Sequence, residues 1–213
     1  MSNLKVQYFE SKEAVHTWII FSGWSFNALA GITKQENYNC LCISDYDPFL
    51  LRDWCKKNLS NYLKTPYSVL GFSLGALWLS QNSDLFSDVK KCVFVGLRKS
   101  YSGSQIEPIK ELLQADYVRC VRKFHNQCLS KAMQNNYIFR DDINHLNKEV
   151  LELGLTYLEQ TPFNIDAIKP NTQVIHGGLD RVSPLKELDF ITSSQLHIQK
   201  RMGHLCLIEL DSL

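Results

Sequence analysis

Gly71-Phe72-Ser73-Leu74-Gly75 is the stretch of this chain whose residue types point most directly to chemistry. The apolar run 68–70 precedes it and the apolar stretch 76–79 follows, which predicts a strand, a tight turn and a helix. A G-x-S-x-G motif at such a junction is typical of a nucleophile elbow, whose strained turn presents the serine hydroxyl. The outer glycines are expected because a Cβ there would collide with neighbouring backbone. A plain Gly/Ser turn is the alternative, so the serine needs partners elsewhere in the chain.

A serine nucleophile needs a histidine base and an acid that orients this base, and sheet hydrolases carry them in the order Ser, Asp/Glu, His. Asp180 is the candidate acid, because it lies in the glycine-containing loop 176–184 after a predicted strand. His204 is the candidate base, because it follows the last predicted strand in a Gly-His pair. Considered alone, Asp180 could instead be an ordinary turn aspartate, and His204 could be a solvated loop histidine. Asp45 and Asp47 precede the serine and are interpreted as turn residues.

The other histidines are weaker candidates for the base. His197 lies in the middle of a predicted strand, where it is either satisfied or exposed. His176 is either a core histidine or a residue that shapes the acid loop. His125 and His145 fall in predicted helices and are assigned to surface positions.

An oxyanion hole requires two backbone N–H donors. One is predicted from Leu74, which follows the serine at a helix N-terminus where the helix dipole favours negative charge. The other is predicted from Trp24, in the loop 22–27 after the first predicted strand. Gly23 is expected to permit the turn of this loop. The Trp24 side chain can also be a core aromatic, since only its backbone would act.

Six short apolar runs are predicted to be strands, at 17–21, 39–43, 67–70, 91–95, 172–176 and 195–198. Helical stretches alternate with them, which favours a doubly wound, mostly parallel α/β sheet with both faces covered. Between 97 and 170 the sequence predicts only helix-like stretches, at 106–132 and 144–160, and this segment is too long for a loop. We therefore expect a helical cap, 98–170, inserted after the strand that ends near Val95. Residues 1–97 and 171–213 would form the sheet core.

Composition narrows the function classes. The chain has 213 residues, enough for one domain with its own core, and a net charge of +1, which gives no reason to expect nucleic acid. No apolar run reaches about 18 residues and residues 1–13 lack a signal-peptide pattern, so we expect a cytoplasmic protein without membrane contact. The seven cysteines are expected to be reduced. Cys40 and Cys42 share a strand face without further ligands at zinc spacing, so neither a metal nor a cofactor is predicted.

Four motifs together carry a resemblance to a known family. They are Phe-Ser-Gly-Trp at 21–24, Gly-Phe-Ser-Leu-Gly-Ala-Leu-Trp at 71–78, Gly-Leu-Asp-Arg-Val-Ser-Pro at 178–184 and Gly-His at 203–204. This set resembles the pimeloyl-ACP methyl ester esterases of biotin synthesis (the BioG/BioH type) of the α/β-hydrolase superfamily. The Gly-Trp pair is its more distinctive part. The chain begins almost directly at the oxyanion strand and carries Ser-Asp-Tyr-Asp at 44–47, which is similar to the shorter type.

The resemblance implies a serine carboxylesterase that hydrolyses the methyl ester of a pimeloyl chain on an acyl carrier protein and releases methanol. Ser73 would attack the ester carbonyl and His204 would take its proton. The N–H groups of Trp24 and Leu74 would hold the oxyanion, and the cap would form an apolar tunnel for the acyl chain. The resemblance covers both ends of the sheet core and is poor over the insert.

A basic face on the cap is expected if the partner is an acyl carrier protein, because carrier proteins are acidic. Arg119, Arg122 and Lys123 lie at i, i+3 and i+4 of one predicted helix and share a face. A solvated charged face is the alternative for these three residues.

Two other functions fit the same motifs. The first is a carboxylesterase or thioesterase with the same site residues. It differs from a pimeloyl-ACP methyl ester esterase only in its acyl substrate. The second is a hydrolase-like binding protein without catalysis, against which the complete set of Ser73, Asp180 and His204 argues. A monomer is favoured for the oligomeric state.

Overall fold

The computed structural model describes residues 4–34, 37–63, 65–131, 143 and 146–213. The main sheet contains seven strands: β1 (Lys5–Phe9), β2 (Thr17–Phe21), β4 (Asn39–Ser44), β5 (Tyr67–Phe72), β6 (Cys92–Val95), β7 (Thr172–Gly177) and β8 (Leu196–Gln199). Their spatial order is β1-β4-β2-β5-β6-β7-β8, and every neighbouring pair is parallel except β1 with β4. The predicted doubly wound, mostly parallel α/β fold is confirmed.

All six predicted strands are present; β2 has the predicted ends, and the ends of the other five shift by at most two residues. Three further strands were not predicted. β1 pairs antiparallel at the edge of the sheet and is only half-buried, so its sequence lacks the continuous apolar run of an inner strand. β3 (Ile32–Lys34) and β9 (Ile208–Glu209) pair with each other and are too short to leave a pattern.

Five α-helices are described: α1 (Leu51–Asn58), α2 (Leu74–Gln81), α3 (Gly103–Ala115), α4 (Tyr117–Cys128) and α5 (Lys148–Gln160). The last three lie between β6 and β7 and are called the cap helices here. The single stretch predicted at 106–132 is in fact two helices. The chain leaves helical geometry at Asp116, whose φ is −157° and whose carboxylate accepts a hydrogen bond from Arg119 N at 3.0 Å. Asp116 therefore caps α4, although the amphipathic pattern runs across the break.

The sheet separates two apolar layers, as the alternation of side chains along a strand requires. In β2, Ile19 and Phe21 pack on one face, while Trp18 and Ile20 pack on the other. The first layer also contains buried side chains of the cap helices, among them Leu113, Val121, Leu151 and Leu155. The cap helices thus share their core with the sheet. The domain boundaries at 97/98 and 170/171 stay a prediction.

The cysteines are free thiols and all seven are buried. Cys40 and Cys42 lie on the same face of β4 within the second apolar layer, and burial raises the pKa of Cys42 to about 12. Thiols in such surroundings are chemically inert and pack as small hydrophobes. Within the described ranges, no three His, Cys, Asp or Glu side chains converge on a possible metal site. None of the helices in the described part is long and apolar enough to cross a bilayer.

Candidate active site

Ser73 lies at the junction of β5 and α2, in the tight turn that the motif predicts. Its φ of 50° and ψ of −108° are sparsely populated for a residue with a Cβ. Its backbone N donates to Val95 O on the neighbouring strand at 2.8 Å, which ties the strained turn to the sheet. The serine is buried but adjoins a small cavity.

The two outer glycines of the motif are required by space. A Cβ on Gly71 would lie 2.6 Å from the carbonyl oxygen of Gly75, and a Cβ on Gly75 would overlap the carbonyl oxygen of Phe21. Strand and helix approach so closely here that only hydrogen fits at either position. The elbow therefore depends on both glycines, as the sequence predicts.

Asp180 and His204 form a buried hydrogen-bonded pair. His204 Nδ1 donates to Asp180 Oδ2 at 2.7 Å, and Asp180 Oδ1 accepts from the backbone N atoms of Val182 and Ser183, each at 2.8 Å. This arrangement assigns the hydrogen of the imidazole to Nδ1. His204 Nε2 is buried and has no hydrogen-bond partner among the described residues. A bare, oriented Nε2 is the atom that a general base needs.

Two opposing effects act on the Asp180 carboxyl. Burial favours its neutral form, but the electrostatic interaction with His204, the hydrogen bond from His204 Nδ1 and the backbone hydrogen bond from Ser183 N together outweigh burial. The net result is a pKa of Asp180 below its ordinary value. Asp180 is therefore a carboxylate at neutral pH and can only accept hydrogen bonds.

His176 supports the loop that carries Asp180. It is completely buried in β7, its Nε2 donates to Ser183 O at 2.7 Å, and the same atom lies 3.4 Å from Asp180 Oδ2. Burial lowers the pKa of His176, so the ring is neutral. It is thus both a core histidine and a loop-shaping one, and the sequence had left these two alternatives open.

His204 lies against the residue before Ser73, and no hydrogen bond joins His204 Nε2 to Ser73. The His204 ring packs against Phe72, the residue before Ser73, with ring centroids 5.3 Å apart. Catalytic hydrogen bonds are often long in a ligand-free site and tighten when substrate binds. The arrangement thus has the residues of a Ser-His-Asp site, in which the His204–Asp180 hydrogen bond is formed and the Ser73–His204 hydrogen bond is not.

The two predicted oxyanion donors lie close to each other. Leu74 is the first residue of α2, so its N–H has no acceptor within the helix. Trp24 and Leu74 both line a cavity of about 20 Å³. Gly23 is required by space rather than by the turn alone, because a Cβ would lie 2.7 Å from Phe72 Cδ1. Tyr46 fixes the start of the loop by donating from its hydroxyl to Ser22 O at 2.8 Å.

An apolar cavity of about 30 Å³ adjoins Ser73. Residues of the loops that follow β2, β5, β6 and β7 and of all three cap helices line it: Trp24, Ser73, Tyr101, Ile106, Ile109, Phe124, Leu155, Leu158 and Val182. Pockets for drug-sized ligands typically measure about 300–1,000 Å³. The cavity therefore has room for a small acyl group, and a longer chain requires that the cap helices or their side chains move.

A larger open groove of about 650 Å³ runs along α4 and is called the cationic groove here. It is lined by Asp116, Val118, Arg119, Arg122, Lys123, Asn126, Gln127 and Arg181. The three predicted basic residues thus share one surface. Arg181, which the sequence analysis did not single out, follows the candidate acid and donates to Asn126 O at 3.0 Å and Leu129 O at 3.1 Å. Its position next to Asp180 was the available signal.

The other histidines and aspartates considered in the sequence analysis are placed as follows. His197 is exposed on β8, in agreement with one of its two expected settings. Asp45, at φ 50°, and Asp47, whose Oδ1 accepts from Phe49 N, are turn residues. The surface assignment of His125 is wrong, because its side chain is 1% exposed and packs under the loop that carries Trp24. His145 lies outside the described residues.

Comparison with solved structures defines the class of fold. The chain has the α/β-hydrolase fold: it superposes on an α/β-hydrolase from a Medee basin deep-sea metagenome library with a TM-score of 0.72 and 14% identity, over 98% of this chain and 90% of that one. An esterase from Exiguobacterium antarcticum gives a TM-score of 0.71 at 16% identity, over 94% of this chain and 88% of that one.

The resemblance stated from the motifs is also supported. BioG from Haemophilus influenzae superposes with a TM-score of 0.71 at 16% identity, over 98% of this chain and 99% of that one. At such identities the likeness establishes the fold alone. No protein-family model matches the chain, and no curated protein sequence does either.

Proposed function

We propose that this protein is a serine carboxylesterase that hydrolyses the methyl ester of pimeloyl-[acyl-carrier protein] to pimeloyl-ACP and methanol. The observation that carries the hydrolase part is the buried His204–Asp180 bond of 2.7 Å, which leaves His204 Nε2 bare beside the Ser73 elbow. We also propose that the protein acts in the cytoplasm and that its reaction belongs to biotin synthesis.

The chemistry follows the geometry. Ser73 Oγ attacks the ester carbonyl while His204 Nε2 takes its proton, and the resulting oxyanion is held by the N–H groups of Trp24 and Leu74. The tetrahedral intermediate then collapses, and His204 returns the proton to the departing methoxide. Water, activated by the same nitrogen, hydrolyses the acyl-enzyme and frees the carboxylate. Asp180, held ionised, stabilises the imidazolium that forms in each half-reaction.

Two observations support the particular substrate. The superposition with BioG spans 98% of this chain and 99% of that one, whereas the α/β-hydrolase and the esterase described above are covered over 90% and 88% of their lengths. The described fold and that of BioG thus correspond over nearly all of both chains. The cationic groove supplies a surface of opposite charge for an acidic carrier protein.

The proposal is tested by measuring hydrolysis of pimeloyl-ACP methyl ester beside p-nitrophenyl butyrate and methyl pimelate without the carrier. We expect kcat/KM for the carrier-linked ester to exceed that for free methyl pimelate by about 100-fold or more, since docking energy adds to the same chemistry. Restored growth without biotin, in a strain that lacks its own esterase, would be the cellular counterpart. Equal kcat/KM for both methyl esters would remove the carrier-protein substrate and leave the hydrolase.

A carboxylesterase or thioesterase for a small acyl group is the second candidate. The specific observation in its favour is the cavity at Ser73, whose volume of about 30 Å³ suits a short acyl chain without movement of the cap. A series of p-nitrophenyl esters from acetate to decanoate separates the two. A maximum at acetate, with no activity on pimeloyl-ACP methyl ester, would favour this candidate.

Activity is expected to fall on acidification, because only neutral His204 can take the proton of Ser73. The pKa of the Asp180 carboxyl is lowered, so this carboxylate stays ionised between pH 5 and pH 8. The measurement is kcat/KM for p-nitrophenyl butyrate between pH 5 and pH 8 in buffers of constant ionic strength. A flat profile over that interval would count against His204 as the base.

Reversal of the groove charges tests carrier-protein docking. The triple variant Arg119→Glu/Arg122→Glu/Lys123→Glu is expected to raise KM for pimeloyl-ACP methyl ester by about tenfold or more and to leave KM for p-nitrophenyl butyrate unchanged. Lys56→Glu/Lys57→Glu on α1, outside the groove, is the control for a general change of charge. Equal losses on both substrates, or no loss on either, would exclude this docking surface.

A further inference from the structure

The loop that carries Trp24 is held from above by the cap helices. The indole Nε1 of Trp24 donates to Leu151 O on α5 at 2.8 Å, and the ring stacks edge-to-face on Phe124 of α4 with centroids 4.9 Å apart. On α5, a Cβ on Gly154 would lie 2.8 Å from Trp24 Cδ1. The side chain of Trp24 therefore fits between α4 and α5. A residue larger than glycine at position 154 of α5 would collide with it.

The next residue of the loop, Ser25, is held by a single buried histidine. His125 of α4 places its Nε2 2.9 Å from Ser25 Oγ and 3.1 Å from Ser25 O. A carbonyl oxygen only accepts hydrogen bonds, so the contact with Ser25 O assigns the hydrogen to Nε2, which both oxygens of Ser25 share. The imidazole also stacks on Phe26, with ring centroids 4.3 Å apart.

Ser25 needs such support because its backbone is strained. Its φ of 61° lies in the left-handed region, which costs free energy for a residue with a Cβ and persists where the surroundings impose it. The two hydrogen bonds from the buried ring of His125 hold Ser25 in this left-handed conformation. Trp24 is thus fixed by α5 through its indole N–H, and by α4 through the ring of Phe124 and through the bonds of His125 to the following residue, Ser25.

We propose that His125 is a positioning residue for the oxyanion hole: it holds Ser25 in the left-handed conformation that orients the backbone of Trp24, so the hole is complete only with α4 in place. This inference rests on the proposed function and adds a role for the cap to it. The cap helices then both shape the acyl cavity and complete the catalytic geometry.

The test uses His125→Phe, which keeps a ring of similar size against Phe26 and removes both hydrogen bonds. Loss of one oxyanion-hole donor costs about 10²–10³ in kcat. Because this variant misplaces the donor without deleting it, we expect kcat for p-nitrophenyl butyrate to fall about 10- to 100-fold, with KM within about threefold. His125→Gln, whose amide N–H can reach the same oxygens, is expected to recover most of the loss. His197→Phe, at the exposed histidine of β8, is the matched control and is expected to leave kcat unchanged.

Two measurements separate positioning from a structural defect. Titration with a fluorophosphonate counts competent sites, so that kcat is expressed per folded site. A trifluoromethyl ketone, which adds to Ser73 and places an oxyanion in the hole, should bind His125→Phe more weakly by the same factor as kcat falls. Wild-type kcat per titrated site in His125→Phe, or unchanged affinity for the ketone, overturns the inference. A wild-type protein without esterase activity overturns the proposed function, and this inference with it.

Discussion

Replacement of Ser73 by alanine is expected to abolish ester hydrolysis while leaving the fold intact. Loss of the nucleophile in a Ser-His-Asp site lowers kcat by about 10⁶-fold. Alanine keeps the Cβ, so the backbone strain at φ 50° and the bond from Ser73 N to Val95 O are unaffected. The measurement is p-nitrophenyl butyrate turnover at saturating substrate, with the melting temperature as the check on folding.

Ser87→Ala, at an exposed serine outside the site, is the matched control for the change of residue type. It should retain wild-type kcat and stability. Full activity in a folded Ser73→Ala protein would mean that the nucleophile is elsewhere.

Replacement of Asp180 by asparagine is expected to lower kcat by about 10⁴-fold, the size of the effect in proteases with the same triad. The amide oxygen can still accept from the backbone N atoms of Val182 and Ser183, so the loop keeps its shape. The amide NH₂ then faces His204 Nδ1 in place of Oδ2 and forces the imidazole hydrogen to Nε2. A nitrogen that already carries hydrogen cannot take the proton of Ser73.

Asp88→Asn is the control for this variant, because Asp88 is an exposed aspartate outside the site. The kcat of Asp180→Asn should be compared with that of wild type per folded molecule. A loss of less than tenfold would show that Asp180 does not orient the base.

Features that depend on neighbouring residues, or on the order of motifs along the chain, could be predicted from the sequence. The elbow is encoded in five consecutive residues, since Gly71 and Gly75 are required by contacts within the same strand–helix unit and its neighbouring strand. Asp180 and His204 were found because each follows a buried strand, and parallel strands bring such loops to one edge of the sheet.

Features that depend on docking of distant segments were not predicted. Ser25 and His125 are 100 residues apart, and nothing in the helical pattern of α4 distinguishes a histidine that faces the loop from one that faces water. The break at Asp116 is not predicted because apolar periodicity continues through it, whereas the extended backbone of Asp116 and its capping bond to Arg119 N show that a new helix begins there. The small volume of the cavity at Ser73 follows from packing between layers, which a single sequence does not specify.

Covalent labelling tests the central claim, that Ser73 is a nucleophile activated by His204 and Asp180, most directly. The protein is incubated with a fluorophosphonate, and the intact mass and the labelled peptide are determined by mass spectrometry. We expect one adduct per molecule, located on Ser73, absent in Ser73→Ala and formed at least about 100-fold more slowly in Asp180→Asn. No adduct on the folded protein, or an adduct on another serine that survives Ser73→Ala, would contradict the account.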